Sequence, residues 1–271
     1  MILNKAYQLI REKYQIDTSA IVVERVILGS VFTAVQITGN YCGLVKTETP
    51  GCDCENRYSR NTGKFSPGTI TGSSVDELLT FENGDSLLHN IRLACMNALS
   101  SMLFTDTYFD IRPDRDAIDF VDLTANKNIV LVGAFQSYIK HIASTPNHLH
   151  IIEMNAEAIP PEYRHLFIGQ QCAKDVLANA NTVIMTGSVL SNNTFNAMLR
   201  MIPATTQILL VGPSGGLLPD VWFDYGVDVI ATTRITRPET VFRIVSEGGS
   251  TYHLFAHECA QKICIIPKKE R

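Results

Sequence analysis

The chain has 271 residues, 45% apolar and 18% charged, with a formal net charge of -4 and a pI near 6.0. At about 150 residues per domain this is one large or two modest units, either of which can bury a core. The charge balance offers no broad basic surface for a phosphate backbone, which argues against nucleic acid as a partner.

No run of about 18 apolar residues appears, and the amphipathic start "MILNKAYQLIREKY" is unlike a cleavable signal. Neither membrane insertion nor export is therefore expected, and the chain is placed in the cytoplasm. Seven cysteines, at 42, 52, 54, 95, 172, 259 and 264, are an odd number in a chain too large to need disulfide staples. Most should be reduced and structural.

In chain order, residues 5–14 read as a first helix. The β-rich runs 24–38 and 41–49 follow, joined into a hairpin by the turn signal Gly39-Asn40. The stretch "TPGCDCENRYSRNTG" (49–63) is polar and without apolar rhythm, and sets Cys52 and Cys54 one residue apart. The pair reads as part of a metal site, as a redox pair or as ordinary loop cysteines, and a thiolate metal site needs three or four ligands, so the rest would come from elsewhere. Ser74 and Glu77 have the spacing of a capping box, and a longer helix is expected over 86–104. Its apolar positions Leu87, Ile91, Ala94, Cys95, Ala98 and Met102 recur at helical steps, which makes Cys95 a core thiol.

The charged, turn-rich segment 108–128 reads as the crossing between two domains, 1–108 and 109–271. After it come apolar runs at 129–133, 149–153, 182–187, 207–212, 227–232 and 262–267, most of them separated by helix-compatible stretches. Continuous Val/Ile/Leu runs alternating with helices predict strands buried on both faces of a mostly parallel sheet, an α/β domain of Rossmann-like form.

In such a sheet ligands bind beyond the carboxyl ends of the strands. The residues there are Gly133, Glu153 and Asn155, then Thr186, Gly187 and Ser188, Gly212, Pro213 and Ser214, and finally Thr233 and Arg234. No G-x-G-x-x-G follows the first strand, where the sequence runs Gly133-Ala-Phe-Gln-Ser-Tyr. Ordinary NAD binding is disfavoured, and the absence of G-x-x-x-x-G-K-[ST] disfavours a P-loop. Gly212 to Gly216 matches G-x-S-x-G after a strand, with Asp220, Asp224 or Asp228 and then His253 or His257 in hydrolase order. Pro219 makes the helix that a nucleophile elbow requires less natural. His253, His257 and Cys259, and the strand pair His148 and His150, are further metal-ligand candidates, each lacking a third partner at a recognised spacing.

Four motifs carry a resemblance. They are T-G-[ST]-x-L-x-N-x-T at 186–194, V-G-P-S-x-x-L-L-P at 211–219, G-V-D-V with the following T-R at 226–234, and E-G-G at 247–249. With them the chain resembles a bacterial and archaeal family of unknown function labelled for heavy-metal chelation. The N-terminal "VILGSVFTAVQITGNYCGLVKTE" is similar to that family's first module, which resembles the small N-terminal domain of enolases. The resemblance implies an α+β enolase-N-like domain ahead of the Rossmann-like one, a site between them, and a transition or heavy metal ion or its complex as ligand. Asn193 stands where that pattern leads one to expect glycine.

The expected crevice lies between the hairpin region around Gly29, Ser30 and Thr33 and the strand ends of the second domain. Asn192 and Thr194 are expected at a helix start after an N-cap at Ser191, which would favour a phosphate or carboxylate. Glu153 or Asn155 would hydrogen-bond a hydroxyl or amine of the same ligand. Three readings stand: a protein that binds a small anion or metal complex, an enzyme acting on a small anionic metabolite, and an acyl hydrolase using Ser214. A homo-oligomer is left open.

Overall fold

The computed structural model describes residues 2–48, 62–82 and 84–268. The first helix, α1 (Ile2–Glu12), buries Leu3, Ala6, Tyr7 and Ile10, one stripe at helical spacing. Three strands follow, β1 (Val23–Leu28), β2 (Phe32–Ile37) and β3 (Tyr41–Lys46), paired antiparallel in that order. The run expected as one long strand breaks at Gly29-Ser30, so the hairpin is a three-stranded meander.

Every residue of β2 is buried, because both faces of the meander are covered. Val35, Ile37 and Val45 face α3 (Ser86–Ser101) in the largest buried cluster. Phe32, Ala34, Cys42 and Leu44 face Val241, Phe242 and Val245 of α8 (Pro238–Ser246). Gly43 sits on the α3 side, where an added Cβ would come 2.0 Å from the Ala94 carbonyl oxygen and 2.4 Å from the Ala98 nitrogen. The helix thus rests directly on the strand backbone. The short α2 (Val75–Thr80) starts after Ser74 as expected, but that side chain makes no cap hydrogen bond. Asp85 caps α3 instead, accepting from the Leu88 nitrogen at 2.7 Å.

The second sheet has eight strands. β4 (Asp110–Pro113) pairs antiparallel with β11 (Ala260–Ile266), which pairs antiparallel with β10 (Val229–Ile235). From β10 the sheet continues in parallel through β9 (Gln207–Val211), β8 (Thr182–Thr186), β5 (Asn128–Val132), β6 (His148–Ile152) and the two-residue β7 (Phe167–Ile168). Around them run α4 (Gln136–Ala143), α5 (Ala173–Ala178), α6 (Phe195–Leu199), α7 (Pro219–Asp224) and α9 (Thr251–Ala256). The six expected apolar runs all became strands. β4 lay hidden in the supposed crossing because only Ile111 of "DIRP" is buried, and an edge strand ending in proline shows no apolar run.

The largest apolar cluster joins the two parts. It contains Leu3 and Ile10 of α1, most of α3, Val130 and Val132 of β5, Met185 of β8 and Trp222 of α7. Polar bonds add to this joint: Lys5 pairs with Asp224 at 2.8 Å, and the Tyr14 hydroxyl donates to Asp220 at 2.6 Å. Burial pushes the thiols of Cys42, Cys95 and Cys264 up to about 12, so these three are packed as neutral thiols, as expected for Cys95.

Candidate functional site

The strand corners divide into two groups. At the β9 and β10 ends they are filled. Ser214 is buried, and its hydroxyl accepts the Lys46 backbone N–H at 2.8 Å. Asn97 of α3 donates to the carbonyls of Leu44 at 3.0 Å and Pro213 at 3.2 Å. An added Cβ on Gly187 would lie 2.4 Å from the Gly215 nitrogen, so the turns after β8 and β9 touch backbone to backbone. Thr233 borders a remnant space of 10 Å³ beside Pro213 and Gly216, about the room of one water. Arg234 donates to the Phe104 carbonyl at 2.8 Å. On the meander, Ser30 packs against Gly248 and the buried Thr33 shares a hydrogen bond with Thr47 at 3.0 Å.

None of the three triad carboxylates hydrogen-bonds a histidine among the described residues. Asp220 and Asp224 bind side chains of the first helix region, and Asp228 accepts the Ile208 N–H at 2.8 Å, near the start of β9 and away from Ser214. His253 bonds Ser250 at its own helix start.

At the β5 and β6 ends, Gly133 has φ +114 and lies against Thr186. Both oxygens of Glu153 are engaged: one accepts the Ala134 N–H at 2.9 Å, the other the Met154 N–H at 2.7 Å and the Asn155 N–H at 3.4 Å. A carboxylate of the protein thus holds backbone donors that a ligand anion would use in a dinucleotide fold. Asn155 caps the short turn after it, accepting from Glu157.

The connection from β8 to α6 opens on the remaining space. Thr186 and Ser188 hydrogen-bond each other at 3.2 Å, and Ser191 donates to the Ser188 carbonyl at 3.0 Å. The helix cap falls on Thr194 and not on Ser191; Asn192 accepts from the Thr194 N–H at 3.2 Å and its hydroxyl at 2.7 Å. Asn193 has φ +58, the left-handed conformation that glycine takes most easily and asparagine next.

Facing this loop across a cleft of 390 Å³ are Ile2, Leu3 and Asn4 of α1 and Ser86, His89, Arg92 and Leu93 of α3, with Val189 to Ser191, Asn193, Phe195 and Asn196 on the other wall. Arg92 is 5% exposed. Its Nη2 donates to the Leu79 carbonyl at 2.7 Å, while its Nε has no partner among the described residues. No carboxylate forms an ion pair with it among the described residues. Burial lowers the pKa of Arg92, with the nearby Glu82 charge acting in the other direction. Burial likewise holds His89 below the ordinary histidine range, and its ring lies 3.5 Å from the Leu190 carbonyl oxygen.

These α3 residues were not singled out by motif, yet a signal existed. In "SLLHNIRLACMNALSS" apolar residues are spread around the helix with no wholly polar face, and the structure buries its polar members Asn90, Arg92, Asn97 and Ser100 along with them, where they need partners.

Cys52 and Cys54 lie outside the described residues. Among the described residues no three of His, Cys, Asp and Glu come together as a group that could hold a metal ion. His148 and His150 lie on one face of β6, His148 exposed. His257 ends α9, and Cys259 is buried.

Fold and cleft together define a two-part α/β protein: a meander seated on the carboxyl ends of a mostly parallel sheet, with a small-molecule-sized opening at the joint. The chain belongs to the DUF364 family, described as "Putative heavy-metal chelation", whose model matches residues 116–264. A second model of the same description, DUF4213, matches residues 11–100. Two solved structures share the fold across 98% of both chains. One is a DUF364 protein of unknown function from Pyrococcus horikoshii, at 17% identity and a TM-score of 0.74. The other, also of unknown function, is from Desulfitobacterium hafniense DCB-2, at 18% identity and a TM-score of 0.70. No curated protein matches the chain. No helix among the described residues is long and apolar enough to cross a membrane.

Proposed function

We propose that this protein binds a small anion, or a metal carried as an anionic complex, in the cleft between α3 and the β8–α6 connection. One observation carries the reading: Arg92 is buried at the cleft wall, and among the described residues its Nε has no partner and no carboxylate forms an ion pair with it. Burying an unpaired charge costs several kcal/mol, a cost that a ligand anion would offset on binding. Arginine's planar fork suits a carboxylate or phosphate group. The family description supplies the motive for a metal, and a chelate with its own carboxylates would need no protein donor set.

The test is calorimetric titration with acetate and inorganic phosphate, alongside Tm measurement, for the wild type and Arg92→Met. Binding to the wild type that falls at least about tenfold in the variant is expected from the loss of a charge-assisted pair. Equal binding by both proteins would overturn the reading. For metal, the content of protein purified without chelator is compared with that of a Cys52→Ser/Cys54→Ser variant, which should retain it equally if the metal enters as a complex in the cleft.

A further inference from the structure

We infer that the cleft takes a small hydroxycarboxylate, one carboxylate on a hydroxyl-bearing body, in preference to an apolar acid, an amino acid or a phosphate ester. The inference rests on the anion-binding reading above and names the class of ligand. Charge sets the first limit. Among the described lining residues Arg92 is the lone arginine or lysine, and none is an aspartate or glutamate. One guanidinium balances one negative charge, and the second charge of a phosphate ester at neutral pH would find no partner in the cleft. The Glu82 charge already acts on Arg92, which adds to the cost of a dianion. A ligand ammonium group would meet no carboxylate on either wall. Asp85, between the lining residues Gly84 and Ser86, spends its carboxylate on the Leu88 N–H at 2.7 Å.

Polarity sets the second limit. The apolar lining side chains are buried apart from the half-buried Ile2, so the cleft offers little hydrocarbon surface for a ligand to cover. The lining side chains that keep exposed surface are otherwise Asn4 of α1, Ser86 and His89 of α3, and Asn193 and Asn196 on the opposite wall. None carries a standing charge at neutral pH, since burial holds the His89 imidazole in its neutral form. Amides, hydroxyls and a neutral imidazole each both donate and accept, as a ligand hydroxyl does. An aliphatic body laid against them would strip their water and return no hydrogen bond, at about 1–3 kcal/mol for each group left unmet. Hydroxyls on the ligand restore those bonds, and 390 Å³ is within the range of small-molecule sites.

The experiment is a calorimetric comparison of matched three-carbon probes: propanoate, lactate, glycerate, serine, glycerol and glycerol phosphate. Affinity should rise from propanoate through lactate to glycerate, by roughly threefold to tenfold for each hydroxyl that finds a partner. Serine, glycerol and glycerol phosphate should each bind more weakly than glycerate, and Arg92→Met should weaken glycerate at least about tenfold. The double variant Asn193→Gly/Asn196→Ala removes two amides at exposed positions, and the glycine keeps the φ of +58 without strain. It should bring glycerate down to the affinity of propanoate.

Propanoate, serine or glycerol phosphate bound as tightly as glycerate, or a glycerate advantage that survives the double variant, overturns the ligand class and leaves the anion site standing. Glycerate binding that ignores Arg92→Met, or no binding by any probe, overturns the anion site itself. If Arg92→Met does not fold, glycerol decides that point: glycerol bound as tightly as glycerate overturns the anion site.

Discussion

Helix α3 meets the second sheet in two places, and the two are built oppositely. Near its C-terminal half Asn97 reaches the turn after β9, donating to the Leu44 and Pro213 carbonyls, and the space left over is 10 Å³. Toward its N-terminal half His89 and Arg92 border 390 Å³, and the arginine's Nε has no partner among the described residues. In the first seam the Asn97 amide nitrogen meets backbone carbonyls, while its Oδ1 and the neighbouring Thr232 hydroxyl have no partner among the described residues. In the second Arg92 is buried with a hydrogen bond from Nη2 to the Leu79 carbonyl and an Nε that has no partner among the described residues. Each seam holds a buried side chain with an unpaired polar atom, so what separates the two is open volume.

The comparison can be broken most severely at Gly43. Its added Cβ would come 2.0 Å from the Ala94 carbonyl oxygen, and neither strand nor helix backbone can give way locally. Gly43→Ala should cost about 3 kcal/mol or more, measured by urea unfolding, because overpacking here separates α3 from the meander. Ser214→Ala comes next. It removes the acceptor of the Lys46 N–H, in a hydrogen bond that is part-buried through the buried Ser214, and should cost about 1–3 kcal/mol, a loss that a surface-exposed hydroxyl would not produce. The Arg92→Met variant used in the binding tests sharpens the contrast. Deleting a polar group from the open seam should lower stability less than deleting Ser214 from the closed one, since the lost charge was itself costly to bury.

The smallest effect concerns pH. Burial lowers the folded pKa of His89 below 6.5, with Arg92 also lowering it and the Leu190 carbonyl raising it; burial lowers His150 as well. The unfolded chain therefore takes up protons first as pH falls, and stability is lost from about pH 6.5 downward until the folded groups titrate. His89→Gln should reduce the fall in Tm between pH 7.5 and 5.5 (a range of about two units spanning the ordinary histidine pKa). An unchanged slope would place His89 in water.

Much of the architecture was legible because burial on both faces leaves a plain trace. The Val/Ile/Leu runs of β5, β6, β8, β9 and β11 are buried strands in a parallel or mixed sheet, and on the stripe through Cys95 the positions Ile91, Ala94, Cys95 and Ala98 are in the core while Leu87 is half-exposed. Edge elements were not legible, since β4 and β7 bury too little to show a pattern. The split of 24–38 at Gly29-Ser30 was missed because its apolar residues continue across the turn. For the site, the glycines and hydroxyls at the strand ends were recognised as corners, but whether a corner is open or occupied depends on what is packed against it from far along the chain. Lys46 finds Ser214 across 168 positions, a pairing no local pattern encodes.

By itself the sequence determined which segments are strands and helices and that a mostly parallel sheet follows a smaller α+β part, because side-chain periodicity reports burial one element at a time. Only the tertiary structure decided where the molecule stays open. Closure is set by how two surfaces fit, and it took the meander's placement on the β9 and β10 ends to fill one seam and leave Arg92 facing the other.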